Sequence, residues 1–454
     1  MKHENFFSVG YARVDITPEE SVPLAGYGNN MQRLSQGVLD PLYATCIAIT
    51  DNTGNTLLVY TVDLISTTDL YSLPARDAIS SACNIPKDHI IISAIHTHSA
   101  PDLLQTTYPP IIRYQQQLIE KLTVAATSAL QDRKPATILA GHTYNQGMNF
   151  VRHYILENDT YAGDNFGDFN SAPIRDHVSD ADRQIQMVKF CRKDSKDILM
   201  VNWQAHPTKA STSVTEHGRT HRPYISADFV GACRKFVEEK TGMHFAYFQG
   251  ACGNINSRSA IKEENGVHEH IPYGQQLGQY VLDGLHALQP LQTGKVSGKE
   301  TICQCAINHS EDHLLAIAQK VYDLWTQTND AKLCAREGRP HGIHSAYHAA
   351  HIIRKAAATE PVSIQLGAAC AGELGFAAFS YEMFDTNGKW VKENSPFAMT
   401  FVLECANGAN SYIPSGRGFE HGCYEADSCR VMPGTGEENA NVVLELLNDL
   451  HKGR

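Results

Sequence analysis

Short apolar runs of strand length alternate with amphipathic helical stretches through roughly the first 300 residues, and this alternation limits the chain to an α/β architecture. Ala44–Thr50 and Thr56–Asp63 read as strands paired around the turn Asp51–Asn55. A helix over Tyr71–Cys83 precedes the apolar strand His89–Ile95. Arg113–Asp132 is a long helix whose Ile119, Leu122, Val124, Ala125 and Leu130 fall broadly on one stripe. Ile185–Phe190, Ile198–Trp203 and His244–Gln249 continue the strands, and Phe229–Lys240 and Tyr273–Leu288 the helices. The pattern predicts mixed or mostly parallel β-sheets covered by helices. After Gln289 the texture changes to a connector over Pro290–Lys299, a helical region over Asp312–Thr359, and apolar strands within Ser363–Leu403. The chain therefore divides into a main α/β region, 1–290, and a C-terminal α/β region, 291–454, which could form one continuous domain.

Composition narrows the function classes. Hydrophobic content of 42% and charged content of 19% are ordinary for a water-soluble globular chain. A net charge of −11, with no cluster of Lys and Arg, argues against a nucleic-acid partner, because phosphate binding needs concentrated positive charge. No run of about 18 apolar residues occurs, so no transmembrane helix is expected. The N-terminal stretch MKHENFFSVGYARVDI lacks the apolar centre of a signal peptide, which makes a cytoplasmic location the expectation. Twelve scattered cysteines then read as reduced, mostly buried thiols; neither Cys303/Cys305 nor Cys423/Cys429 has zinc-finger spacing. The long loop Asn145–Pro173, rich in Asn, Asp and Gly, is of the kind that lines sites.

The sharpest local signal is Ile91-Ile92-Ser93-Ala94-Ile95-His96-Thr97-His98-Ser99-Ala100-Pro101, an apolar strand running into His-x-His. Side chains two apart on a strand share a face, so both imidazoles can converge where α/β folds place ligands; a surface pair is the plainer alternative. His206 ends a second apolar strand, as a metal ligand or as a hydrogen-bonded core histidine. Glu382 sits in the apolar stretch Phe379–Phe384 and must be ion-paired, protonated or bound to a cation. Tyr412 and Tyr424 flank a glycine-containing loop, where tyrosines ordinarily serve as packing aromatics. His341, His344, His348 and His351 recur at roughly helical spacing, and a partly solvated helix face is the expectation for them over a metal stripe.

With these residues in view, the chain resembles the neutral/alkaline non-lysosomal ceramidase family, in its catalytic domain and nearly end to end. The matching motifs are Gly10-Tyr11-Ala12-Arg13-Val14-Asp15-Ile16-Thr17-Pro18, Ala25-Gly26-Tyr27-Gly28, His96-Thr97-His98-Ser99-Ala100-Pro101 and Asn149-Phe150-Val151-Arg152. They continue with the strand ending at His206, Ile225-Ser226-Ala227-Asp228, Tyr381-Glu382-Met383-Phe384, Asn407-Gly408, Tyr412-Ile413-Pro414 and Tyr424-Glu425. Each is short; their number and order carry the resemblance. It implies one zinc ion held by His96, His206, Glu382 and Tyr412, so that the C-terminal region completes the metal site. It also implies His98 as acid/base, Arg152 and Tyr424 as contacts to the substrate carbonyl, and Gly26 lining the pocket through its backbone. Asp63 and Asp228 would orient the ligating histidines.

Three departures stand beside the matches. The family hexapeptide Gly-Asp-x-Ser-Pro-Asn, whose serine has been given a catalytic role, is here Gly253-Asn254-Ile255-Asn256-Ser257-Arg258, with Asn256 at the serine position. The family's C-terminal immunoglobulin-like domain and its secretion signal are not seen in this sequence. The expectation is a zinc-dependent amidohydrolase cleaving a linear N-acyl amide: a ceramide-like lipid, an N-acyl amine or an N-acyl amino sugar. Amides resist neutral water, and zinc with an open position lowers the pKa of its water to about 7. An ester hydrolase using the same site, and a catalytically silent binding protein of the same fold, are the alternatives.

Overall fold

The computed structural model describes residues 7–27, 31, 33–163, 166–210, 212–215, 218–221, 223–257, 259 and 269–453; Gly28 and Arg258 of the motifs above lie outside them. A nine-stranded sheet runs in the order His244–Gln249, Ile198–Trp203, Gln184–Arg192, Lys134–Tyr144, Phe7–Asp15, Tyr43–Thr50, Thr56–Val62, Ile90–Ala94, with Gln289–Pro290 beside Lys134–Tyr144. Its interior pairs are antiparallel, and the outermost pair at each edge is parallel. The sheet is thus mixed, with most of its ladders antiparallel.

Side-chain alternation explains the layering. Cys46, Ala48, Leu58, Tyr60, Ile90 and Ile92 point into one core, while Ile47, Ile49, Leu57, Val59 and Ile91 point into another. The first core is roofed by the helices Asp69–Cys83, Pro109–Gln131, Asp228–Thr241 and His270–Gly284. The second core is closed by a four-stranded sheet, Val296–Cys305, Val362–Ala371, Leu374–Phe379 and Met399–Leu403, rather than by helices. Leu374 and Phe376 face it, whereas Ala377 and Phe379 face a third core under the helix Thr435–Lys452. Apolar strands buried on both faces read as continuous runs, which is why they were legible in the sequence. The stretch expected as a connector, Pro290–Lys299, instead enters the edge strand Val296–Cys305, where exposed Lys299, Glu300 and Gln304 break the apolar run. The helix Asp385–Asn394 interrupts the expected strand region; its Asn and Gly residues weaken helical signal.

The two edges of the large sheet curl toward each other. Thr61 Oγ1 donates to Tyr247 O at 2.6 Å across the gap. The chain after Leu374–Phe379 fills that seam: Asn202 brackets Val402, donating to its carbonyl at 2.9 Å and accepting from its N–H at 3.2 Å. On the other side Asn407 Oδ1 accepts from Ile92 N at 2.8 Å. All twelve cysteines are free, most of them buried, and no helix among the described residues is long and apolar enough to cross a membrane.

Candidate metal centre

Curling of the sheet brings the ends of its two parallel edge pairs together. The chain leaves Ile90–Ala94 toward His96, and leaves Ile198–Trp203 toward His206. His96 has φ +67°, a left-handed conformation that β-strand periodicity does not supply. The convergence of His96 and His98 is therefore made by this turn after the strand, not by strand alternation. Their Nε2 atoms stand 3.4 Å apart, and the nitrogens of His96, His98 and His206 all lie within 4.8 Å of one another.

Hydrogen bonds on the far side of two rings fix their orientation. His96 Nδ1 contacts Ile65 O at 2.8 Å and His206 Nδ1 contacts Ile255 O at 3.0 Å. A carbonyl can only accept, so each Nδ1 carries a proton and each Nε2 is the nitrogen turned to the centre. Backbone carbonyls thus do the orienting expected of Asp63 and Asp228. Asp63 instead receives Arg234 and Tyr43 N, and Asp228 receives Ala210 N and Phe229 N.

Glu382 arrives from the seam-filling segment. Its Oε2 lies 3.2 Å from His96 Nε2 and 3.5 Å from His206 Nε2 and makes no hydrogen bond, although it is buried. Tyr412 pairs with Glu382 across a short parallel ladder, which carries its hydroxyl to 3.5 Å from His206 Nε2. A buried carboxylate oxygen facing two imidazole nitrogens, with a phenol beside them, is a donor set of the kind that takes a divalent transition-metal ion. His96, His206, Glu382 and Tyr412 therefore fit a single divalent ion. His98 is equally near, so geometry alone also admits it as a ligand.

The remaining residues surround this point. Burial, together with the neighbouring His96, His206 and Arg152, keeps His98 well below the usual histidine range, hence neutral. Gly26, at φ +108°, touches it so closely that a Cβ there would stand 2.5 Å from His98 Nδ1. Arg152 lies with Cζ 5.4 Å from the Tyr412 ring centre and is aimed by Glu425 (2.6 Å from Nε) and by Gly253 O (2.8 Å from Nη2). Burial raises Glu425, but Arg152 and His153 more than offset it and hold the carboxyl at about 2. Tyr424 packs its ring 5.8 Å from Tyr412. His96, His98, His206, Glu382, Tyr412, Arg152, Tyr424 and Gly26 thus lie together, whereas Asp63 and Asp228 bond elsewhere.

Several neighbours were not read from the sequence. Arg33, buried, donates to Ala25 O (2.8 Å) and His98 O (3.2 Å) and lies over the Tyr27 ring. Glu404, fully buried, accepts from Cys252 N and Met383 N behind the centre. Tyr347 stacks on Tyr424, with ring centres 5.4 Å apart. The only hint of Glu404 in the chain is a lone carboxylate closing an apolar strand. Asn256, the residue at the family's serine position, forms a backbone bridge with His206 and a ladder with Phe150.

No family model matches the chain. Among solved structures it is similar to the neutral ceramidase from Pseudomonas aeruginosa, with TM-score 0.73 and 15% identity over 99% of this chain and 75% of that one. The fold is that of the neutral ceramidases. A ceramidase complexed with C2 is similar to the same degree, with TM-score 0.72 and 14% identity over 99% of this chain and 76% of that one. The ceramidase-like α/β fold expected from the sequence motifs is therefore present across the whole described chain.

Proposed function

We propose that this protein is a zinc-dependent amidohydrolase that cleaves linear N-acyl amides. The observation that carries the reading is the buried Glu382 Oε2, which makes no hydrogen bond yet lies within 3.5 Å of the Nε2 atoms of His96 and His206 inside a ceramidase-like fold. His96, His206, Glu382 and Tyr412 would hold the ion. When bound, zinc supplies a Lewis acid and a water acidic enough to attack an amide near neutral pH.

The protein's own groups do the rest. His98, kept neutral, can take a proton through Nε2 and return it to the leaving amine. Arg152, held by Glu425 and Gly253, and Tyr424, packed beside Tyr412, would bind an acyl oxygen and its developing negative charge. Gly26 lets the backbone approach His98 without a side chain between them. Asn256 carries no hydroxyl, which favours direct attack by water over an acyl-serine route. The fold likeness to ceramidases supports a ceramide-like lipid as substrate; N-acyl amines and N-acyl amino sugars share the same scissile bond. The test is turnover of an N-acyl amide panel beside a matched ester panel, with zinc and with chelator. Chelator-sensitive amide cleavage is expected; ester cleavage alone, or turnover untouched by chelator, would overturn the reading.

A further inference from the structure

The histidine stripe is solvated only at its start, where His341 is exposed and His344 partly so. His348 and His351 are buried, and His344 and His348 converge on a carboxylate from another helix. His344 Nδ1 lies 2.8 Å from Asp427 Oδ2, and His348 Nδ1 lies 3.6 Å from the same oxygen. The three ligand atoms fall within 4.8 Å of one another, and the two rings are 5.2 Å apart.

Behind His348 stands a built support. Its Nε2 bonds Glu311 Oε1 at 2.8 Å, and Glu311 Oε2 receives Lys355 Nζ at 2.6 Å. Glu311, bonded to Lys355 on its other oxygen, takes the Nε2 proton, and Nδ1, which accepts from His344 N, is the ligating nitrogen on the Asp427 side. A carboxylate accepting one imidazole N–H so that the other nitrogen can ligate is the usual arrangement behind zinc-bound histidine. His344 N also reaches His348 Nδ1, at 3.3 Å, and an ion would replace that long contact.

We propose that His344, His348 and Asp427 form a second metal site, for a zinc-type divalent ion. Two imidazoles and one carboxylate suit zinc, cobalt or nickel better than calcium or magnesium, which prefer oxygen donors. The site opens to solvent on the His344 side, whose side chain is 37% exposed against 2% for His348. Its role is structural. Asp427 lies one turn beyond Tyr424 on the helix Tyr424–Ser428, and His348 follows Tyr347 on the helix Ala346–Ala356. An ion here clips together the two helices whose tyrosines stack beside the first centre.

The test is zinc content after loading the full chain with zinc chloride and removing the excess, with thermal unfolding measured in parallel. Wild type should hold about two equivalents, and His96→Ala and His348→Ala about one each, as a three-ligand site predicts. His96→Ala combined with His348→Ala should hold none. His344→Ala changes a half-exposed residue and should also lose one equivalent with the fold intact, so it decides the matter if His348→Ala fails to fold. Loss of one ion should lower the melting temperature of wild type but leave that of His344→Ala unmoved by further zinc. One equivalent in wild type, lost in His96→Ala and kept in His344→Ala, would overturn this site and leave the first standing. One equivalent kept in His96→Ala and lost in His344→Ala would do the reverse.

Discussion

Glu382 and Tyr412 occupy the same rung of a two-residue parallel ladder, Glu382–Met383 against Tyr412–Ile413. That rung places an acidic and a phenolic oxygen on the same side of His206, at 3.5 Å each from its Nε2. The histidines come from the large sheet and the oxygens from the segment that fills its seam. The candidate metal centre is thus a joint between two layers, and changes on either side of it should be separable.

His96→Ala should lose both zinc and activity, because it removes a lone pair fixed by Ile65 O. His98→Ala should keep zinc and lose about 100- to 10,000-fold in kcat, the usual range for removing a general acid/base. Metal analysis beside steady-state kinetics checks both. If His98→Ala stripped the ion and His96→Ala did not, the two roles would be exchanged.

Gly26→Ala puts a methyl group 2.5 Å from His98 Nδ1 at a backbone φ of +108° that alanine resists. The imidazole must shift. Zinc content should stay near wild type while kcat falls by about 100-fold, the scale of a displacement near 1 Å at a reacting group. An alanine variant with unchanged kcat would remove Gly26 from the site.

Acid should weaken the fold through Glu425. Its folded pKa of about 2 lies below the ordinary carboxyl value of 4.5, so its contribution is full above pH 4.5 and is lost as pH falls toward 2. Unfolding midpoints measured across that window should drop in wild type and flatten in Glu425→Gln. The same variant should cost roughly 3–5 kcal/mol at neutral pH, since it leaves Arg152 and His153 buried without their counter-charge. Equal acid sensitivity in the two proteins would assign it elsewhere.

Asn256→Ala should retain most of the wild-type turnover. The contacts that Asn256 gives to His206 and Phe150 are backbone ones, and alanine preserves them. Complete loss of rate, with zinc still bound, would reveal a role for its amide side chain.

Much of this molecule was legible along the chain. Runs such as Ile90–Ala94 and Ile198–Trp203 are apolar at every position but Ser93 and Asn202, because both faces are buried, and composition alone reveals them. The motif residues named the site's members, from His96 to Tyr424. Edge strands such as Val296–Cys305 stayed hidden because solvent takes half their side chains and erases the run. The histidine stripe was legible only in its solvated half, His341 and His344: helical spacing tells which residues share a face, not what packs on it. Glu311 and Asp427, distant in sequence, bury His348.

What tertiary structure alone decided is how these pieces meet. Local preference sets strands and helices, since it depends on near neighbours and on apolar period. The left-handed turn at His96, the curl that brings Thr61 to Tyr247, and the anchoring of His206 by Ile255 O depend on contacts between distant segments. Such contacts form only once the cores have closed and have excluded the water that would otherwise satisfy the same polar groups.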